Sequence, residues 1–456
     1  MQIQVLGLGS AGEAAAQLLA AQQHQVIVLD EQDSPLLQRR LAGLQGVSGI
    51  LGEPFALLPE TKRVVVSPGI RWQHPVLELA RTQGIEVMGE AELAWRHLDH
   101  LPWVGITGTN GKTTTTALIA AMFAAAGWQA PACGNIGLPL CRVAKETLQG
   151  HRQPDWIVAE LSSYQLEASS RLGQRERDPL GIGVWTTFTP DHLERHGTLE
   201  NYAAIKARLL DCVGLRVING DDAYLQGRCR DWPNTLWTSI HSGDAPVRLA
   251  GGNLWIESKC LGSIAPFAQK MPGQHNQQNL LMAAAVAHLA SLPDQAIQTV
   301  IHEFAGVPHR LETVRVQAHI RWINDSKATN YDAAEVGLAA VAPPILLIAG
   351  GQAKQGDDRA WLALIREKVA FVYLIGEAAP RFARRLEEIH YTSYQIAHTL
   401  DVAVSLAHQQ AKTLQGSVSS QPITVLFSPA CASFDQFSNF EHRGDVFRQC
   451  CYQLVE

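Results

Sequence analysis

The chain has 456 residues, 46% of them hydrophobic and 18% charged, which is typical of a globular protein of about three domains and excludes wholesale disorder. Its 37 Lys and Arg against 43 Asp and Glu give a net charge of −6 without a long basic stretch, so no nucleic-acid partner is expected. The chain has no apolar run of about 18 residues and no signal-peptide layout. We therefore expect a cytoplasmic protein without a membrane partner, whose eight Cys stay reduced.

In chain order, short β-branched runs alternate with longer Ala- and Leu-rich stretches, which predicts parallel sheets covered by helices. The predicted strands are 3–6, 26–29, 64–66, 104–107, 156–159, 183–186, 216–219, 345–349, 371–375 and 423–427. We predict an α/β fold of three domains, each with a mostly parallel sheet. They are a Rossmann-like domain at 1–94, a P-loop ATPase-like domain at 95–306 and a Rossmann-like C-terminal domain at 307–456. Several glycines and weak helix signals predict a small β excursion at 240–270.

The first glycine loop comprises Gly7, Gly9 and Gly12, between a predicted strand and helix, and Asp30 ends the next strand. This layout is typical of a Rossmann nucleotide site, although a tight turn without a ligand is the simpler alternative. A dinucleotide site needs two such halves, and only about 93 residues precede the next phosphate loop. A mononucleotide or UDP group therefore fits better than NAD. The turn 67–69 lies at the same sheet edge, where ligands gather.

The second glycine loop, residues 108–114, follows the predicted strand 104–107 and precedes a helix; it is called the phosphate loop below. It departs from the strict Walker pattern, because position 106 is Ile and Gly105 comes one place early. The Gly-Lys-Thr sequence at the end of the loop is nevertheless present. Lys112 can therefore reach the β- and γ-phosphates, and Thr113 can hold Mg²⁺. A chance Gly-Lys-Thr is the alternative, but the strand–loop–helix context favours an ATP site.

Three further residues of the middle domain indicate a functional site only in combination with the phosphate loop. Glu160 ends an apolar strand and is a candidate Mg²⁺ ligand, although a charge at a helix N-terminus is an alternative interpretation. His192 follows another strand, and a lone histidine is more often structural than catalytic. Lys206 lies in a predicted helix at 201–210, where a lysine normally faces solvent.

Five motifs follow one another along the predicted middle domain: Thr-Asn-Gly-Lys-Thr-Thr at 109–114, Gly-Asn-Ile-Gly at 134–137, Glu-Leu-Ser-Ser-Tyr-Gln-Leu at 160–166, Asp-His-x-x-Arg at 191–195, and Gly-x-His-Asn-x-x-Asn at 273–279. They resemble the Mur ligases, ATP-dependent enzymes that build the peptide stem of peptidoglycan. Pro-His-Arg-Leu-Glu at 308–312, Asn-Asp-Ser-Lys-Ala-Thr-Asn at 324–330 and Ser-Pro-Ala-Cys-Ala-Ser-Phe-Asp-Gln-Phe at 428–437 are similar to the members that add D-glutamate. The resemblance covers essentially the whole chain.

The resemblance implies a two-step reaction with ATP as co-substrate, two Mg²⁺ ions, and UDP-N-acetylmuramoyl-L-alanine and D-glutamate as small-molecule substrates. The first step makes an acyl phosphate from the UDP-sugar carboxylate, and the amine of D-glutamate then displaces phosphate. In this family the lysine that matches Lys206 is carbamylated, which turns a cation into an oxygen ligand. A monomer is expected.

The resemblance also implies a role for individual residues. Catalytic roles fall to Lys112, His192 and Lys206, and Mg²⁺ ligation to Thr113, Glu160, His192 and Lys206. The implied ATP contacts are Gly108, Thr109, Asn110, Gly111, Lys112, Thr113, Thr114, Asn276, Asn279, Arg310 and Asp325. The implied UDP-sugar contacts are Ser10, Ala11, Asp30, Ser67, Gly69 and Asn135. The implied contacts to the amino acid are Lys327, Thr329, Lys354, Ser433 and Phe434.

Other interpretations remain open at this stage. Another Mur ligase is one, but the Asp-Asn-Pro-Arg of a diaminopimelate-adding enzyme is missing from the last domain. A folylpolyglutamate synthetase is a second, but it would not begin with the first glycine loop. An NAD-dependent oxidoreductase would leave the phosphate loop unexplained. A non-catalytic nucleotide-binding scaffold would not need Lys112, Glu160, His192 and Lys206 together.

Overall fold

The computed structural model of the chain describes residues 1–169, 180–228, 231–353, 356–415 and 422–454. The chain divides into two compact units. The first comprises residues 1–267 with 277–304, and the second comprises 268–276 with 305–456. Two sheets lie in the first unit and one sheet in the second.

The first sheet is parallel, with the strand order β3-β2-β1-β4-β5. The elements are β1 Gln2–Leu6, α1 Ser10–Ala21, β2 Gln25–Asp30, α2 Pro35–Ala42, β3 Val47–Leu51, β4 Thr61–Val66, α3 Pro75–Thr82, β5 Glu86–Gly89 and α4 Glu90–Leu98. The strand order reverses between β1 and β4, so the loops that leave their carboxyl ends diverge there. That crevice is where open α/β sheets bind ligands.

The second sheet has the order β14-β13-β12-β11-β10-β9-β6-β8-β7, parallel from β12 to β7 and antiparallel from β12 to β14. Its strands are β6 Trp103–Thr107, β7 Ala132–Gly134, β8 Ile157–Glu160, β9 Leu180–Trp185, β10 Val213–Asn219, β11 Thr235–Ser239, β12 Val247–Ala250, β13 Asn253–Ile256 and β14 Lys259–Ser263. The helices along this part of the chain are α5 Lys112–Ala125, α6 Leu140–Leu148, α7 Ser163–Glu167, α8 Leu193–His196, α9 Leu199–Asp211, α10 Ala223–Gly227, α11 Ala265–Lys270, α12 Gln274–Leu289 and α13 Asp294–Glu303. Because β6 lies between β8 and β9, the loop after β6 opens between the ends of two neighbouring strands.

The third sheet has the order β15-β16-β20-β17-β18-β19 and is parallel except for the β15–β16 pair. Its elements are β15 Glu312–Gln317, β16 Ile320–Asn324, α14 Tyr331–Ala339, β17 Ile345–Gly350, α15 Arg359–Lys368, β18 Val369–Ile375, α16 Ala379–Glu388, β19 Tyr394–His398, α17 Leu400–Gln415, β20 Ile423–Phe427 and α18 Phe440–Gln453. Two apolar clusters cover its two faces.

The two sheets of the first unit share one continuous apolar core. Helices α1 and α4 pack on α6, and buried Ala14, Ala15 and Ala16 of α1 allow the close approach. At the same junction the rings of Trp95 and Trp103 meet edge to face, with centroids 5.1 Å apart. Full burial of such large apolar side chains stabilises a fold by about 1.5–3 kcal/mol each. The first two sheets are therefore one packed body, although each has its own topology.

The α/β class, the three sheets and all ten predicted strands are confirmed, with strand ends that differ by a few residues. The predicted β excursion at 240–270 corresponds to β12, β13 and β14. The domain boundaries at 94/95 and 306/307 stay predictions. Among the described residues, no helix is both long enough and apolar enough to span a membrane.

Candidate functional site

The first glycine loop, residues 7–12, is held by a carboxylate and a hydroxyl. Asp30 Oδ2 accepts a hydrogen bond of 2.7 Å from the Leu8 backbone N–H, and Ser67 Oγ donates to the Gly7 carbonyl at 2.8 Å. A Cβ on Gly12 would lie 1.8 Å from the Gly7 carbonyl oxygen, so only glycine permits this approach of helix to loop.

The remaining residues predicted to contact the UDP-sugar lie around that loop or at the neighbouring sheet. Ser10 and Ala11 open helix α1 and so stand at its positive end. Gly69 is exposed in the turn after β4. Asn135 is exposed in the loop after β7, in the second sheet of the same unit.

Two lysines converge on one carbonyl of the phosphate loop. Lys112 Nζ and Lys206 Nζ each donate to the Gly108 carbonyl oxygen at 2.8 Å, and Lys112 Nζ also donates to the Thr109 carbonyl at 2.7 Å. Lys206 is 1% exposed, in contrast to the solvent-facing position that is usual for a helical lysine. Burial, and then the charge of Lys112, lower the pKa of Lys206 well below 10.5, while Asp191 and Glu160 act in the opposite direction. The site therefore makes the charged form of Lys206 less favourable than it is at an exposed lysine.

Glu160 is the last residue of strand β8. The amide nitrogen of Asn135 donates to its Oε1 at 2.8 Å, so a residue predicted for the UDP-sugar contacts a predicted metal ligand. The other oxygen, Oε2, is buried and has no hydrogen-bond partner among the described residues. An orphaned carboxylate oxygen beside a phosphate loop fits a hard divalent cation.

His192 has a left-handed backbone, with φ of 53°, directly before helix α8. Its Nδ1 lies 2.9 Å from the hydroxyl of Tyr164, and its Nε2 lies 3.4 Å from Asp191 Oδ2. Burial is the main cause that raises the pKa of Tyr164 to about 12, so this phenol keeps its proton at neutral pH. The tautomer of His192 sets the direction of this hydrogen bond, and the tautomer in which Nδ1–H donates to Tyr164 leaves the lone pair of Nε2 for a metal.

The backbone and hydroxyls of the phosphate loop are held by residues after β9. Thr109 Oγ1 donates to the Thr189 carbonyl at 3.0 Å, and the Asn110 N–H donates to Thr187 Oγ1 at 2.9 Å. Thr113 and Thr114 are buried in the first turn of α5. At Gly111, φ is +84°, and an added Cβ would lie 2.6 Å from Asn279 Oδ1, which brings the predicted ATP residue Asn279 against this loop. Among the described residues, no three His, Cys, Asp or Glu cluster as a metal site.

In the second unit, Asp325 follows β16 and is fully enclosed. Ser428 Oγ donates to its Oδ2 at 2.8 Å, and the Leu311 N–H donates to its Oδ1 at 3.3 Å. Burial raises its pKa to about 7, against the opposing effects of Ser428 and Arg310. Arg310 lies between His309 and Leu311, which both have a left-handed backbone.

Asn276, another predicted ATP residue, also belongs to this unit. Its Nδ2 donates to the Pro272 carbonyl at 2.9 Å, and its Oδ1 is buried without a hydrogen-bond partner in the described part of the chain.

Four of the five residues predicted for the amino acid follow β16 and β20, which are neighbours in the third sheet. Lys327 and Thr329 lie in the loop after β16, and Ser433 lies after β20, where it is buried. Phe434 is 68% exposed, which leaves its ring accessible to a ligand. Lys354 lies outside the described residues. The loops after these two neighbouring strands thus supply ammonium and hydroxyl groups, which are donors to carboxylates, together with one exposed aromatic ring.

Several residues of the site were missed by sequence reasoning. Thr186 and Thr187 hold Asn110, Tyr164 holds His192, and the buried guanidinium of Arg443 donates to the carbonyls of Ser326, Cys431 and Ala432. Tyr164 belongs to the Glu-Leu-Ser-Ser-Tyr-Gln-Leu motif at 160–166, so the sequence did indicate that this position matters. For the two threonines and Arg443 the sequence carried no chemical pattern.

Family models match three consecutive parts of the chain. A Mur ligase MurD-like N-terminal domain matches residues 1–89, a Mur ligase middle domain matches 106–287, and a Mur ligase glutamate ligase domain matches 309–431. Among curated relatives, a protein of Synechococcus sp. (strain JA-3-3Ab) is 61% identical, over 99% of this chain and 98% of its own. One of Thermosynechococcus vestitus is 51% identical over 99% of each chain. Both are named UDP-N-acetylmuramoylalanine–D-glutamate ligase.

Solved structures with low sequence identity share the fold. The UDP-N-acetylmuramate-alanine ligase MurC of Thermotoga maritima has a TM-score of 0.61 at 16% identity, over 99% of both chains. A pseudomurein peptide ligase type C of Methanothermus fervidus has a TM-score of 0.58 at 17% identity, over 100% of both chains. Three matched domains in order, and relatives more than half identical over nearly the whole length, establish that the chain belongs to the Mur ligase family.

Proposed function

We propose that the chain is an ATP-dependent ligase that joins D-glutamate to UDP-N-acetylmuramoyl-L-alanine, as a step of peptidoglycan precursor synthesis. The observation that carries this proposal is the 61% identity, over 99% of the chain, to a relative that is named for this reaction. The geometry around the phosphate loop is the kind that phosphoryl transfer from ATP needs, because positioning and neutralisation of charge are its main requirements.

In the first step, a carboxylate oxygen of the L-alanyl group forms a bond to the γ-phosphorus of ATP, and the bond from that phosphorus to the ADP oxygen breaks. Lys112, whose amine donates to the Gly108 and Thr109 carbonyls of the phosphate loop, would neutralise charge on the transferred phosphoryl group. Gly108, Thr109, Asn110, Gly111 and Thr114 would cradle the phosphates. Asn276, Asn279, Arg310 and Asp325 would contact the rest of ATP.

In the second step, the amine of D-glutamate attacks the acyl carbon, a C–N bond forms, and the C–O bond to phosphate breaks. The amine loses a proton, and inorganic phosphate leaves with its electron pair. Lys327, Thr329, Lys354, Ser433 and Phe434 would orient D-glutamate. Ser10, Ala11, Asp30, Ser67, Gly69 and Asn135 would hold the UDP-sugar.

Two Mg²⁺ ions would neutralise phosphate charge when bound. Thr113 and Glu160 would hold one ion, and the orphaned Oε2 of Glu160 supports that assignment. His192 and a carbamylated Lys206 would hold the other. The burial of Lys206 supports carbamylation, because an uncharged amine is the form that reacts with CO₂.

The proposed function assigns one substrate to each of the three predicted domains. The first domain, 1–94, would bind the UDP-sugar, the middle domain, 95–306, would bind ATP, and the last domain, 307–456, would bind the amino acid. The substrates are small molecules of the cytoplasm, and a single chain carries every residue assigned above. We therefore propose a cytoplasmic monomer.

The test measures phosphate release from ATP by the purified protein and identifies the product by mass spectrometry. Release should require both UDP-N-acetylmuramoyl-L-alanine and D-glutamate, and the product should carry one added glutamate. L-Glutamate and UDP-N-acetylmuramate are the matched controls. Equal turnover with another amino acid would make the chain a different ligase, and no turnover with the full set would refute the proposal.

A further inference from the structure

Arg195 links two parts of the first unit that lie far apart in sequence. It belongs to helix α8, three residues after His192, and its side chain is 6% exposed. Its Nη2 donates to the Ile70 carbonyl at 2.8 Å, and its Nη1 donates to the Gly69 carbonyl at 3.4 Å. Both carbonyls belong to the segment 67–73 after β4, which is called the sugar loop below. The guanidinium of Arg195 comes from a helix that follows β9 of the second sheet. It therefore holds the backbone of a loop that follows β4 of the first sheet.

Glu167 fixes the guanidinium from the other side. Its Oε2 accepts from Arg195 Nε at 3.1 Å and from Nη2 at 3.0 Å, and the side chain of Glu167 is 3% exposed. Its Oε1 accepts from Gln73 Nε2 at 3.1 Å, and Gln73 also belongs to the sugar loop. The ion pair thus has two attachments to the same loop. A buried pair with this many fixed partners holds one geometry.

The opposite face of Arg195 packs on Tyr164, with the guanidinium carbon 4.2 Å from the ring centre. The hydroxyl of that ring is the group that lies 2.9 Å from His192 Nδ1. This contact on the face of the ring restricts the position of the ring, and the position of the ring decides where the hydroxyl lies. One side chain therefore touches the sugar loop directly and reaches the imidazole of His192 through one intervening residue.

We propose that Arg195 is a positioning residue that couples the sugar loop to His192, so that the same side chain sets the affinity for the UDP-sugar and the orientation of the imidazole. This inference rests on the proposed function, because it assigns the sugar loop to the UDP-sugar and His192 to the phosphoryl-transfer site. A guanidinium is required for it, since only a planar group can stack on Tyr164 while its edge donates to carbonyls and to Glu167.

The test uses two variants that separate the two ends of the link. Arg195→Lys keeps the charge opposite Glu167 and removes the planar fork. Tyr164→Phe keeps the ring beneath the guanidinium and removes only the hydroxyl that contacts His192. Arg142→Lys is the matched control, because Arg142 lies in the same unit with 56% of its side chain exposed.

The measurements are the dissociation constant of UDP-N-acetylmuramoyl-L-alanine by calorimetry without ATP or Mg²⁺, kcat, KM for ATP, and the midpoint of thermal unfolding. Arg195→Lys should weaken UDP-sugar binding about tenfold and lower kcat about tenfold, with KM for ATP changed less than about twofold. Tyr164→Phe should lower kcat about tenfold and leave UDP-sugar binding unchanged. Arg142→Lys should match the wild-type protein in every measurement.

Two results would overturn the inference. One is an Arg195→Lys protein that unfolds at a lower temperature but keeps the wild-type dissociation constant and kcat, since that pattern describes a purely structural ion pair. The other is a Tyr164→Phe protein with wild-type kcat, since His192 would then not depend on the hydroxyl. Failure of the wild-type protein to form product would instead refute the proposed function, so the two failures are distinguishable.

Discussion

The two glycine loops of the first unit share one layout and differ in the charges that surround them. Each follows a parallel strand and opens a helix, at residues 7–12 and 108–114. The first loop is held by the carboxylate of Asp30 and the hydroxyl of Ser67. The second is held by the amines of Lys112 and Lys206.

That difference decides what each loop can bind. Acceptors and a helix N-terminus at the first loop suit the N–H and O–H groups of a nucleoside and a partly neutralised diphosphate. At the second loop, the ammonium of Lys112 and the metal ions that Glu160, His192 and a carbamylated Lys206 would hold suit the concentrated negative charge of ATP phosphates. The strand–glycine–helix layout alone therefore does not specify the ligand, because the two loops differ in the charged side chains beside the glycines, Asp30 at the first and Lys112 at the second. Three predictions test this contrast, from the largest expected effect to the smallest, and a fourth tests the junction between the sheets that carry the two loops.

Removal of the first amine should have the largest effect. Lys112→Ala should lower kcat by about a thousandfold, because a preorganised cation at developing phosphoryl charge contributes on the order of 4 kcal/mol. The thermal midpoint should change little, since Lys112 Nζ contacts loop carbonyls and not the apolar core. Lys62→Ala, at an exposed lysine of β4, is the control. A Lys112→Ala enzyme with most of its activity would remove the phosphate loop from the mechanism.

The second amine should behave differently, because its proposed active form is a carbamate. Lys206→Ala should lower kcat by about a hundredfold or more, and added acetate should restore part of the activity by filling the vacated oxygen position. Lys112→Ala, assayed with the same acetate, is the matched control and should show no rescue.

Near-normal turnover by Lys206→Ala, together with an unmodified ammonium in a crystal with Mg²⁺ and substrates bound, would contradict carbamylation. An unmodified lysine in a ligand-free crystal would not, since carbamates are labile.

The first loop should affect only the UDP-sugar. Asp30→Ala removes the acceptor of the Leu8 N–H, and it should raise KM for UDP-N-acetylmuramoyl-L-alanine about tenfold while KM for ATP changes less than about twofold. Asp33→Ala, at an exposed aspartate three residues later, should leave both KM values unchanged. Equal changes in both KM values for Asp30→Ala would mean that the two loops do not serve separate substrates.

The packed junction between the first and second sheets should make the stability of the protein depend on pH. Glu90, at the start of α4, accepts from the Cys141 N–H of α6 at 2.6 Å, and burial raises its pKa from 4.5 to about 7. The folded protein therefore holds a proton that the unfolded chain has released between about pH 4.5 and 7, so stability falls as pH rises through this range. The loss should be on the order of 3 kcal/mol.

Urea unfolding of Glu90→Gln and of the wild-type protein at pH 5 and pH 8 measures this effect. The variant lacks the titrating group, so its free energy of unfolding should fall less between the two pH values than that of the wild-type protein. Identical changes in the two proteins would show that Glu90 does not titrate in this range. Glu78→Gln, at an exposed residue of α3, is the control.

Features that depend on neighbouring residues were predictable from the sequence. The strands followed from short β-branched runs, and both glycine loops followed from residue spacing at strand ends. The positions of Lys112, Thr113 and Glu160 at the carboxyl ends of parallel strands followed from the same rule. The family followed from eight motifs in a fixed order. These predictions succeeded because local backbone preference and strand polarity are properties of contiguous residues.

Features that depend on distant residues were decided only by the tertiary structure. Lys206 lies 98 residues from the carbonyl it contacts, and its own helix gave no sign that it would be buried. Arg195 reaches a loop 125 residues earlier in the chain, and Glu90 reaches a helix 51 residues later. The sharing of one core by the first two sheets was likewise invisible in the alternation of strands and helices. Burial, charge pairing and the contact of one loop with another depend on which surfaces pack together, and packing is a property of the whole folded chain.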